Sequence, residues 1–135
     1  MGTWSTGSFG NDTAGDWIID LAENPTLDFI NETLQNGLKI LDDSDTNMQA
    51  VAAAEVICIL KGHGPNGYEK DADGVNHNLD PVMEKLSTEH VPEALITLAI
   101  ETINLIGSES ELKELWDGDS EWDAEIADLK ERLQR

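Results

Sequence analysis

Along most of this chain apolar residues return every three or four positions, the period of a helix lying on a core. The stretch Met48 to Leu60, MQAVAAAEVICIL, departs from that rule: only Gln49 and Glu55 interrupt an otherwise apolar run. A helix that is apolar all round is buried in a core or a membrane, and this run is too short to span a bilayer. It reads as a central helix around which the others pack. Ala50, Ala52, Ala53 and Ala54 let neighbours come close, and Val51, Val56, Ile57, Ile59 and Leu60 fill the gaps.

The remaining pattern predicts helices on either side of it. Residues 1–10 form a glycine-rich lead-in carrying Trp4 and Phe9, expected to plug into the domain and order the terminus. Asn11 or Asp12 then caps a helix whose Ala14, Trp17, Ile18 and Leu21 share one face. Gly15 within it suggests a close approach by another backbone. Asn24-Pro25 reads as a stop and a new start, followed by a helix to about Leu41 with Leu27, Ile30, Leu34, Leu38 and Leu41 inside. Thr46 and Gln49 have the spacing of a capping box for the central helix, and Gly62 ends it. Residues 62–80 are rich in Gly, Asn and Asp and predict a long loop. A short helix over Pro81 to Leu86 follows, and Pro92 starts a longer one that Gly107 stops. Ser108 and Glu111 suggest another capping box. After the Asp117-Gly118-Asp119 turn, a last helix shows Trp122, Ile126, Leu129 and Leu133 on one face, with basic residues at its end. No segment alternates as a strand does. The expected class is all-α: one helical domain over 1–135, a compact bundle of about five or six helices around the alanine-rich one.

Charge narrows the function more than length does. The chain has 135 residues, with 28 acids against 8 bases and a formal charge of −20. That balance disfavours nucleic acid and anionic membrane as partners and points to a basic protein, or to a merely soluble acidic surface. Acids gather at Asp42, Asp43 and Asp45 and again at Asp117, Asp119 and Asp123, segments expected to face water. Cys58 is the sole cysteine, so an internal disulfide is impossible. The opening residues lack a secretory pattern and no run is long enough for a membrane span, so the expected location is the cytoplasm. Oligomeric state is not legible.

The N-terminal stretch carries a longer signature. Trp4, Gly7, Phe9, Asn11, Asp12, Ala14, Asp16 and Trp17 stand as W-x-x-G-x-F-x-N-D-x-A-x-D-W. This resembles the opening of proteins in domain-of-unknown-function family 4259, which usually has glycine where this chain has Ser5. Ala53-Ala54-Glu55, the run SELKELW at 110–116 and Trp122 extend the resemblance over most of the chain, except around 62–88. It implies a small helical bacterial protein of the cytoplasm, and it supplies no reaction and no catalytic residues.

Among single residues, Glu55 stands out, because its i±4 neighbours are Val51 and Ile59. A buried acid needs a partner or a proton. The structural expectation is an anchor bonded by the indole of Trp4 or Trp17, or by the backbone of the lead-in. Asp71 and Asp73 before Gly74, with Asp80 beyond, partly resemble a calcium loop. Asp80 stands where a bidentate Glu belongs, so a solvated turn is the ordinary reading. His63, His77 and His90 lie 14 and 13 residues apart, without the i, i+3 or i, i+4 pairing of metal-binding helices. No nucleophile elbow, phosphate loop or dinucleotide motif occurs. The leading expectation is therefore a non-catalytic interaction protein, of immunity, antitoxin or regulatory type, without cofactor. The alternative is a small enzyme or metal-dependent binding protein using Glu55, Glu101 and a histidine of the 62–90 region.

Overall fold

The computed structural model describes residues 12–63, 82, 84–86 and 89–135. They form α1 (Asp12–Glu23), α2 (Leu27–Lys39), α3 (Ser44–Leu60), α4 (Glu93–Glu109), α5 (Glu111–Leu115) and α6 (Ser120–Gln134). None of the described residues lies in a strand, so the class is all-α. The lead-in with Trp4 and Phe9, and residues 64–80 of the expected loop, lie outside the described residues. Of the expected short helix at 81–86, residues 82 and 84–86 are helical, and Val82 and Leu86 are buried.

The alanine-rich run takes the centre. Among the described helices, α3 packs against α1, α2, α4, α5 and α6. Ala50, Ala52, Ala53, Ala54, Val56, Ile57 and Cys58 are fully enclosed. The stripe Ile126, Leu129 and Leu133 of α6 and the stripe Ala99, Ile103 and Ile106 of α4 close on it. Helix α1 contributes Ala14, Trp17, Ile18 and Leu21.

Among the described residues the close approach falls at Gly37. Nothing among the described residues comes within 4 Å of a Cβ built on Gly15. At Gly37 such an atom would overlap the Ala50 Cβ and lie 3.3 Å from the Thr102 methyl. Gly37 is therefore where α2, α3 and α4 meet. Thr102 holds the same junction by donating to the Leu98 carbonyl at 2.7 Å and approaching that of Leu34 at 3.3 Å.

Helix ends are set by local bonds, several of them one or two residues from the expected positions. Thr26, not Asn24, caps α2: its hydroxyl accepts from the Phe29 N–H at 3.1 Å. Pro25 precedes the cap, and α2 stops at Lys39 before Leu41. Helix α3 begins at Ser44, with Thr46 donating to Asp43 instead of heading a capping box at 2.6 Å. Gly107 does not stop α4, which runs on to Glu109. A Cβ there would meet the Ile126 Cγ2 at 3.0 Å, so this glycine serves the packing of α4 on α6. Ser110, not Ser108, caps α5, accepting from the Lys113 N–H at 3.0 Å. Gly62 does end α3. It has φ +85°, its N–H donates to Ile59 O at 3.0 Å, and the His63 N–H donates to Cys58 O at 2.8 Å, the paired closure that a left-handed glycine permits.

The crossing at Gly37 gives a test. Gly37→Ala is expected to lower unfolding free energy by about 1–3 kcal/mol through overpacking. Gly15→Ala, on a helix with no described residue within 4 Å of the added Cβ, should raise it by up to about 1 kcal/mol. Urea denaturation of the two variants beside the parent measures both, and equal effects would contradict the crossing.

Candidate functional site

Two places in the fold hold the candidate residues: a buried ion cluster at the C-terminal end of α3, and an acidic end where α2, α3 and α5 meet.

The buried cluster is built on Glu55, which is 2% exposed in the middle of the apolar helix. Its partner is Arg132 of α6, itself buried. Arg132 Nη2 donates to Glu55 Oε1 at 2.9 Å while Nη1 donates to Glu55 Oε2, a two-pronged pair that matches guanidinium to carboxylate. Arg132 Nε donates to Asp128 Oδ2 at 2.8 Å, and Nη1 also reaches the His63 carbonyl at 3.1 Å. Burial opposes the charge on Arg132, but the bonds and attraction from Glu55 outweigh it and hold the guanidinium above its already high range. Lys61 adds a second strap, donating to the Leu133 carbonyl at 2.5 Å near the negative end of α6.

The expectation for Trp17 is corrected here. Its indole N–H donates not to Glu55 but to the Thr33 hydroxyl at 2.9 Å, and its ring stacks on Phe29 with centroids 5.8 Å apart. Of the other signature residues, Ala14 is buried and Asp16 is exposed, while Asp12 opens α1. Trp4, Gly7, Phe9 and Asn11 lie outside the described residues. Cys58 sits next to the cluster, its thiol 3.9 Å from the Leu129 carbonyl. Burial, and then the Glu55 charge, push that thiol up to about 12, so it stays protonated and unreactive at neutral pH.

Among the described residues of the enzymatic alternative, Glu55 and Glu101 lie in different surroundings. Glu55 is buried against Arg132, whereas Glu101 is exposed on α4. His90 is exposed, and His63 meets the cluster through its backbone carbonyl. His77, Asp71, Asp73 and Asp80 lie outside the described residues. Among the described residues no group of three or more His, Cys, Asp or Glu side chains is placed to hold a metal ion.

The acidic end is stitched across the sequence. The Glu111 N–H donates to the Leu41 carbonyl at 2.8 Å, and the Glu111 carboxylate accepts from the Ser44 N–H at 2.9 Å. Beneath them the buried Asn47 amide donates to the Ile40 carbonyl and accepts from the Leu112 N–H, both at 3.2 Å. Sequence reading passed over Asn47; a polar residue at the edge of an apolar run was the available signal. These bonds place Asp42, Asp43 and Asp45 beside α5. Asp43, Asp45 and Asp119 also hold structure: Asp43 meets Thr46, Asp45 accepts from Thr13 at 3.1 Å, and Asp119 caps α6 through the Glu121 and Trp122 N–H groups. Asp42, Asp117 and Asp123 are exposed. A shallow groove of about 280 Å³ runs along α5, lined by Ser108, Glu109, Ser110, Lys113, Glu114 and Asp117.

A family model described as a domain of unknown function, DUF4259, matches residues 2–127. The chain belongs to the DUF4259 family. Neither the curated proteins nor the solved structures searched gave a match. The DUF4259 match takes in Trp17, Glu55 and Trp122 but ends before Arg132, so the resemblance could not point to the partner of Glu55. The available signal was positional. Arg132 precedes Leu133 and lies three residues after Leu129, at the edge of the apolar stripe, where a base can turn inward.

Two outcomes follow from the cluster. Arg132→Met leaves the Glu55 charge buried without its guanidinium and should cost about 3–5 kcal/mol, whereas Glu55→Met with Arg132→Met should recover most of that loss. A double-mutant cycle in urea that includes Glu55→Met alone measures it, and single losses that simply add in the double variant would show the pair uncoupled. Burial, then the Asp128 and Glu55 charges, raise Glu125 above its ordinary 4.5, with Arg132 opposing. The folded chain thus holds this proton more tightly than the unfolded one, and the group's stabilising contribution falls as pH rises from 4.5 through the raised value. Glu125→Gln should flatten that part of the profile, measured as denaturation midpoints from acid to neutral pH.

Proposed function

We propose that this DUF4259 protein is a non-catalytic interaction protein whose acidic surface binds a basic protein, in the manner of an immunity, antitoxin or regulatory protein. The observation that supports it best is the stitching of two acidic segments, Asp42–Asp45 and Glu109–Asp117, into one end of the fold by the bonds of Glu111. Carboxylates collected in one place raise the local concentration of a positively charged partner and speed its encounter. A formal charge of −20 works against phosphate backbones and anionic lipids. Glu55, the sharpest candidate for chemistry, is engaged by Arg132 inside the core. No helix among the described residues is long and apolar enough to cross a membrane. The same reading has the protein act in a bacterial cytoplasm, where a free cysteine such as Cys58 is at home.

The reading predicts an association rate that falls as salt rises, because exposed charges are screened beyond about 10 Å at 0.1 M salt. Capturing binders on the immobilised protein at low salt, then timing association and dissociation of the main one, measures this. Asp117→Asn with Asp123→Asn should slow association more than it speeds dissociation. Recovery only of acidic or neutral proteins, or rates that ignore salt and these substitutions, would contradict it.

A further inference from the structure

The acidic end also carries apolar side chains that the core does not use. Leu115 is 63% exposed, more than the other large exposed apolar residues Ile19 at 46% and Ile40 at 42%. Its position follows from the bonds of Glu111. Residues four apart on a helix share a face, so Leu115 follows Glu111 on the side of α5 turned to the connection after α2. Glu111 touches that connection at Leu41 and Ser44, which brings Ile40 to the foot of the same face. The buried side of α5 lies next to it, where Leu112 is enclosed and Trp116 is half-buried, and Leu115 stands at the edge of that side. Glu114, the residue before Leu115, lines the groove together with Asp117.

The same segments, the end of α2, its connection to α3 and α5 with the turn after it, carry the exposed acids Asp42, Asp43, Glu111, Glu114 and Asp117, together with Lys39 and Lys113. The side chains of Asp42, Glu114 and Asp117 take part in none of the described hydrogen bonds or ion pairs, so their charges stay available. An apolar anchor with a polar, charged rim is the usual anatomy of a docking site. A second copy of the chain is a poor occupant, since it would bring another −20 to the same rim.

We propose that Leu115 and Ile40, rimmed by Asp42, Asp43, Glu114 and Asp117, form the anchor of a docking surface for a basic amphipathic segment of a protein partner, one that presents an apolar side chain flanked by lysine or arginine. This rests on the acidic-interaction reading and sharpens it: the rim sets the encounter and the anchor sets the residence time.

The test uses two helical peptides of equal positive charge, one of lysine and leucine with an apolar face, the other with serine for each leucine. Binding to the full-length protein is measured by titration calorimetry, and the contact is mapped by amide shifts. The leucine peptide is expected to bind on the order of tenfold more tightly, the effect of burying about one apolar side chain. Its shifts should centre on residues 40–43 and 110–117. Leu115→Ser should abolish the advantage, while Ile19→Ser, an exposed apolar control on α1, should leave it intact. Both sites are solvent-exposed, so neither variant endangers the fold. An advantage that survives Leu115→Ser, or that Ile19→Ser removes equally, overturns the docking surface while leaving a basic partner standing. Failure of both peptides to bind at low salt overturns the docking surface and the acidic reading together. A parent protein that dimerises, and loses dimerisation with Leu115→Ser, assigns the surface to a second copy and overturns the proposal.

Discussion

Surrounding one helix with the five other described helices leaves it no face for water and little room for bulk. That constraint orders the rest of the structure. It explains four alanines within five positions of α3, and it explains Gly37, whose missing side chain lets α2 settle against Ala50. Thr102 shows the same economy of space: its methyl faces Gly37, and its hydroxyl turns back to its own helix at Leu98. Close packing of this kind tolerates small changes badly, because neighbouring helices cannot shift independently.

The same constraint makes Glu55 consequential. Water cannot serve a carboxylate there, so a base had to come inward from another element. Arg132 does so while Asp128 and the His63 carbonyl take two of its three other donors. A buried ion pair adds little net stability compared with apolar residues of similar size, since both charges lose their hydration. What it adds is register. The forked pair fits at one rotation and one height of α6 against α3, whereas an apolar stripe alone would accept several.

Local physics carried much of this into the sequence. The all-round apolar run marked α3, the stripe from Trp122 to Leu133 marked the inner face of α6, and Gly62 marked a true helix end. Helix starts were less legible because Asn24, Thr26, Asp43, Thr46, Ser108 and Ser110 all have side chains able to cap, and only the packed structure decides which do. Gly107 looked like a stop because glycine weakens helices; its use in packing against Ile126 is a tertiary fact. For the candidate site, the burial of Glu55 was legible from its neighbours, but the Arg132 pair was not, and the expected bonds from Trp4 and the lead-in lie outside the described residues. The indole of Trp17 was an equally good donor on paper, and Thr33 took it. Exposure of Leu115 was invisible too, since in sequence it continues the apolar spacing set by Leu112.

Glu55 and Arg132 stand 77 residues apart in the chain. On a ribosome adding about 5–20 residues per second, roughly 4–15 s separate the two. Throughout that interval the nascent α3 carries a carboxylate whose guanidinium has not yet been made, so the forked pair forms only after α6 has been added. The side of the central helix that meets α1 and α2 can therefore be covered as soon as it is made, while the side that α4, α5 and α6 cover is sealed last.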